Sequence, residues 1–171
     1  MREVIQKVYS IEELTERAKE KAFYKWMELD YYDSRENTNS LNKFCDMLNV
    51  KVLNYEYGGM NNYIKWELME DEELKNLHGL KLKNHILNNY NTLLIGDCPL
   101  TGYCIDIEII APIKQFIQTP SEVSMECLVG KCLSSWLEAC QKDYDNFFSL
   151  ESFVEMSDVN EWEYFEDGTF Y

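Results

Sequence analysis

Ser10 and Glu13 stand three residues apart, directly ahead of an apolar stripe that recurs every three or four positions: Leu14, Ala18, Ala22, Trp26 and Leu29. A serine hydroxyl and a glutamate at this spacing satisfy free backbone N–H groups at the start of a helix, and Tyr9 and Leu14 are placed to clasp that start from outside. The stripe then obliges one side of the helix to find a core, while Glu12, Glu16, Lys19 and Glu20 face water. Whatever else the chain does, it must supply an apolar surface to cover that face.

The rest of the chain offers such surfaces in both secondary-structure periods. VIQKVYS, from Val4 to Ser10, alternates as a short strand. Leu41, Phe44, Cys45 and Leu48 read as a second, short helix stopped by Asn49 in a left-handed conformation. VKVLNYEY and NYIKWELM alternate with period two around Gly58, Gly59 and Met60, which predicts a β-hairpin with Ile64, Trp66 and Leu68 on its packed face. The acidic run Glu70 to Glu73 favours a helix start, limited by Gly79, and Leu80 to Tyr90 reads as a further helix. LLIG from Leu93 reads as a short strand, CPLTGYC as a compact turn, and the stretch after Asp106 as a helix with Pro112 near its first turns.

Met125, Leu128, Val129, Cys132, Trp136 and Cys140 line one side of a long amphipathic helix over about 122–143. Leu150, Phe153 and Val154 mark a shorter one, and Asp167-Gly168 suits a two-residue turn between aromatic strands in WEYFEDGTFY. These readings add up to an α+β fold, with about five or six helices packed on a small antiparallel sheet made of a central β-hairpin and a C-terminal aromatic hairpin. At 171 residues the chain is expected to be a single domain, 1–171, burying roughly two-thirds of its unfolded surface in one core.

No segment approaches a membrane span and the N-terminal stretch lacks the apolar heart of a secretory signal, so a cytoplasmic protein with reduced cysteines is expected. Cys45, Cys98, Cys104, Cys127, Cys132 and Cys140 have no Cys-x-x-Cys spacing and read as buried thiols, and His78 and His85 read as surface residues. No catalytic residue, metal or cofactor is assigned: there is no nucleophile elbow and no phosphate-binding loop, and the acidic residues come in runs.

Charge placement is the functional signal. The net charge is −15, yet residues 143–171 hold Asp143, Asp145, Glu151, Glu155, Asp158, Glu161, Glu163, Glu166 and Asp167 without a single lysine or arginine. Aromatic residues, among them Trp162 and Tyr164, interleave with these acids. Complementary charge at a rim and aromatic anchors at a centre are how protein interfaces gain encounter rate and affinity, so these eleven residues are the predicted partner-binding surface. Such a surface repels membranes and free DNA and competes with phosphates for basic residues.

Three segments, VYSIEELTERAKEKA (Val8 to Ala22), CPLTGYCIDIEIIAPIKQFI (Cys98 to Ile117) and VNEWEYFEDGTFY (Val159 to Tyr171), together resemble a family of small acidic proteins of phages and mobile elements of Gram-positive bacteria. The chain departs from that pattern between Tyr57 and Asn91. The resemblance implies a phage-encoded inhibitor of host defence, and some similar proteins are anti-CRISPRs. The implied partner is the RNA-guided nuclease of a type II CRISPR system or its guide-RNA complex, whose guide and target lie in a positively charged channel. Two alternatives stand beside it: a metal-dependent nuclease or guide-RNA-damaging factor, and a phage interaction or assembly module with no inhibitory activity.

Overall fold

Leu14, Ala18, Ala22 and Trp26 are all buried, as their spacing requires, but the helix they belong to starts later than its first capping pair suggests. In the computed structural model, which describes residues 6–171, Glu13 Oε2 does accept the Ser10 N–H at 2.9 Å. That pair closes only a 3-10 turn, Ile11–Glu13, whereas α1 is Glu16–Leu29 and takes Thr15 as its cap, the Thr15 hydroxyl accepting from Ala18 N. Two cap residues in tandem, Ser10 and Thr15, bend the chain so that Ile11 and Leu14 both turn inward.

Six further helices and one hairpin follow among the described residues. They are α2 (Arg35–Leu48), β1 (Val50–Glu56), β2 (Tyr63–Leu68), α3 (Glu72–Lys75), α4 (Gly79–Asn89), α5 (Ile105–Gln118), α6 (Met125–Phe147) and α7 (Leu150–Val159). The fold is therefore α+β. The chain divides into two compact units, one formed by residues up to Tyr32 together with Tyr144–Tyr171, the other by Asp33–Asp143. Each has its own apolar cluster, so the single core expected from chain length is replaced by two.

In the contiguous unit, Leu41, Phe44 and Leu48 of α2, Ile109, Ile113 and Phe116 of α5, and Leu128, Cys132 and Trp136 of α6 are buried together. Asn49 stops α2 with φ 51°, as its position predicts. The hairpin pairs antiparallel with Val50 opposite Leu68, Val52 opposite Trp66 and Tyr55 opposite Ile64, which puts the predicted apolar face inward. Leu53 is the extra residue of a bulge in β1 and is half exposed. Trp66 lies against Gly130 of α6, where a Cβ would come within 3.1 Å of the ring.

Several expectations in this unit need correction. LLIG is no strand: Asn91–Leu94 is a 3-10 turn that buries Leu93. Gly79 does not end a helix; it opens α4 at φ 58°, while α3 has already stopped at Lys75. Pro112 lies in the middle of α5, where its missing N–H leaves the Glu108 carbonyl without its intrahelical donor. Only Cys45, Cys132 and Cys140 are buried; Cys98 is half-buried and Cys104 and Cys127 are exposed. Burial pushes the Cys45 thiol up to about 12 and raises those of Cys132 and Cys140 as well. His78 is a surface residue facing Glu122 at 3.5 Å, but the Nε2 of His85 is buried without a hydrogen-bond partner among the described residues.

The CPLTGYC turn is held by an acid the pattern gave no reason to single out. Asp106, fully buried in the first turn of α5, accepts from the backbone N–H groups of Leu100, Thr101 and Gly102 at 3.0, 2.7 and 3.1 Å, and from the Thr101 hydroxyl at 3.0 Å. Burial pushes its carboxyl up, but donation from Ser40, from the Thr101 backbone and hydroxyl and from the Gly102 backbone outweighs that, and the group sits below its ordinary range.

The discontinuous unit packs α1 against α7 and the terminal segment. Trp26, Phe153 and Tyr164 are buried among Phe23, Phe147, Phe148, Trp162 and Phe170. Val4 and Ile5 of the predicted first strand lie outside the described residues; of its remainder, Tyr9 alone pairs, bridging antiparallel to Tyr164. The expected terminal hairpin is reduced to an isolated bridge, Tyr164 to Phe170, that adds no strand to the sheet, and its turn differs. Phe165 N donates to Thr169 O at 2.8 Å and Gly168 N to Phe165 O at 2.9 Å, so Glu166, Asp167 and Gly168 form a three-residue loop with Gly168 at φ 82°.

Candidate functional site

The acidic surface is built on α7. Ser149 caps that helix by accepting from Ser152 N at 3.1 Å, and Glu151 in the first turn meets the positive end of the helix dipole. Steps of four and three residues from Glu151 to Glu155 and Asp158 keep these carboxylates on one face, while Phe153 and Ser157 are buried on the other. After α7 the chain turns at Glu161, whose φ is 53°, and then alternates: Glu161 and Glu163 are exposed, Trp162 is half-buried and Tyr164 is fully buried.

All nine predicted carboxylates are exposed, but they do not form one set. Glu151, Glu155, Asp158, Glu161 and Glu163 have no cationic partner among the described residues. Asp167 does: the Lys21 ammonium approaches it at 2.6 Å and reaches the Thr169 hydroxyl at 3.2 Å. Hydrogen bonds from Lys21 and then from the Thr169 hydroxyl and backbone hold the Asp167 carboxyl down at about 2. Glu166 lines the same recess as Arg17 and Lys21, so the hairpin tip is compensated from within. Asp145 belongs to the last turn of α6.

Asp143 belongs to the contiguous unit. There it lines a cleft of about 480 Å³ with Glu36, Glu108 and Glu138, at 3.5 Å from the Asn37 amide. Sequence reasoning missed this cleft because its acids come from three helices far apart in the chain. Tyr164 is a correction of another kind. Its ring is fully buried and its hydroxyl is hydrogen-bonded to Ser157, so it is core and cannot touch a partner. Trp162, packed against Phe170 with ring centroids 5.7 Å apart, keeps one side accessible.

Among the described residues no group of three or more His, Cys, Asp or Glu side chains is placed to hold a metal ion. Nor is any helix among them long and apolar enough to cross a membrane. Comparison with protein-family models, with curated proteins and with solved structures finds no match to this chain.

Proposed function

We propose that the chain is a non-enzymatic binding protein that sets the carboxylates of α7 and the segment after it against a basic surface of a nucleic-acid-handling protein. In line with the family resemblance, the partner is the RNA-guided nuclease of a type II CRISPR system or its guide-RNA complex in the bacterial cytoplasm, and the consequence of binding is inhibition on behalf of a phage. One observation carries this reading: Glu151, Glu155, Asp158, Glu161 and Glu163 are exposed and lack an internal cation among the described residues. Side chains that neutralise nothing within their own unit are free to replace phosphates on lysines and arginines elsewhere. Of the two aromatic residues named for this surface, Trp162 keeps accessible area and Tyr164 does not, so affinity rests chiefly on charge.

Binding of this kind weakens as salt screens it, since exposed charges interact over about 10 Å at 0.1 M ionic strength. The test is inhibition of target cleavage by the purified nuclease, with wild-type protein and with Glu151, Glu155, Asp158, Glu161 and Glu163 changed together to lysine. Loss of inhibition is expected, together with affinity that falls steeply as salt rises. Full inhibition by the variant, or capture of a phage structural protein in place of the nuclease, would show the reading to be wrong.

A further inference from the structure

The discontinuous unit carries a second charged feature, one in which cations and carboxylates are interleaved. Arg17, Lys21 and Lys25 follow one another at four-residue steps along α1, each about 6 Å further along the axis, and with Tyr24 they line a groove of about 650 Å³ closed on one side by Gly168 and Thr169. Tyr24 is 64% exposed and packs into neither apolar cluster, an unusual position for a ring beside three cations. Glu20 and Glu28 complete the lining.

We propose that this groove binds a nucleoside phosphate. Each lining group matches a part of such a ligand. Arg17 and Lys21 supply donors for phosphate oxygens, the guanidinium through paired N–H groups. The Tyr24 ring offers a face on which a base stacks, an interaction that tolerates any base. The carboxylates of Glu20 and Glu28 accept hydrogen bonds from ribose hydroxyls. The groove volume falls within the range of small-molecule sites.

Two of the cations already have partners, Lys21 with Asp167 at 2.6 Å and Lys25 with Glu28 at 2.9 Å, yet all four side chains are more than half exposed. Both pairs are open to solvent, so a doubly charged phosphate can displace the carboxylates from Lys21 and Lys25. Arg17 has no ion pair among the described residues. The inference stands on α1 and is independent of the carboxylates of α7.

Titration of the full chain with adenosine monophosphate, inorganic phosphate and adenosine, followed by NMR chemical shifts, tests the proposal. The monophosphate is expected to bind at least about tenfold more tightly than either fragment, and Arg17→Glu and Tyr24→Ala, both at exposed positions, are each expected to weaken it by about tenfold with an unchanged circular dichroism spectrum. Monophosphate binding no tighter than that of phosphate, absence of binding, or affinity indifferent to both substitutions would overturn it. Because neither substitution touches α7, inhibition of the nuclease reports separately on the function proposed above.

Discussion

Three backbone N–H groups, those of Leu100, Thr101 and Gly102, converge on one carboxylate oxygen of Asp106, and removing that oxygen leaves them with no acceptor in the fold. Asp106→Ala is expected to lower unfolding free energy by roughly 3 kcal/mol in urea denaturation, the range for buried donors stripped of a charged partner. Asp106→Asn, which keeps one acceptor oxygen, should lose less. Gly168 constrains the chain by the opposite means, absence. A Cβ there would lie 2.1 Å from the Ala18 carbonyl oxygen, and the φ of 82° is itself hostile to a side chain, so the terminal loop can rest on α1 only with glycine at its tip. Trp26 shows a different economy: its indole N–H is buried without a hydrogen-bond partner among the described residues, and its place is held by ring packing against Phe147, Phe148 and Phe153.

The terminal hairpin carries a contact that depends on pH. The Asp167 carboxyl is held at about 2 in the folded chain, well below its ordinary range near 4, so the unfolded chain takes up a proton first as pH falls. The stabilisation from the Lys21 contact is therefore complete above about pH 4 and is lost as pH drops toward 2. Loosening of the hairpin in that window, read from the fluorescence of Trp162, is the expected outcome, and Asp167→Asn should abolish the transition while leaving the rest of the acid titration in place. Elements like this also show where sequence reasoning reaches and where it stops. Helix α6, the β-hairpin and the Asn49 stop were legible because local spacing and one left-handed residue determine them. The start of α1 was not, since Ser10 and Thr15 are both competent caps and only the burial of Ile11 and Leu14 decides between them. LLIG reads as a strand from sequence because three apolar residues ahead of a glycine fit a strand or a tight turn equally, and Leu93 is buried in either. The acidic surface was legible as a charge bias in 143–171; that Asp167 is neutralised by Lys21, 146 residues earlier, and that Tyr164 is core are tertiary facts with no local trace.

At the scale of the whole molecule, one apolar cluster draws on a contiguous stretch and the other on the two ends of the chain. Trp66 and Trp136 belong to the first, Trp26 and Trp162 to the second, so each unit carries its own pair of optical probes. Closing a loop as long as 33–143 costs more conformational entropy than any pairing inside it. In stopped-flow refolding, a Trp26→Phe/Trp162→Phe variant should therefore regain its native signal before a Trp66→Phe/Trp136→Phe variant does; simultaneous recovery would mean that the two units form in one step. The same division governs the chain as a ribosome makes it. The apolar stripe of α1 emerges well before Phe153 and Tyr164, so throughout synthesis of the whole intervening stretch it stands uncovered and open to chaperones.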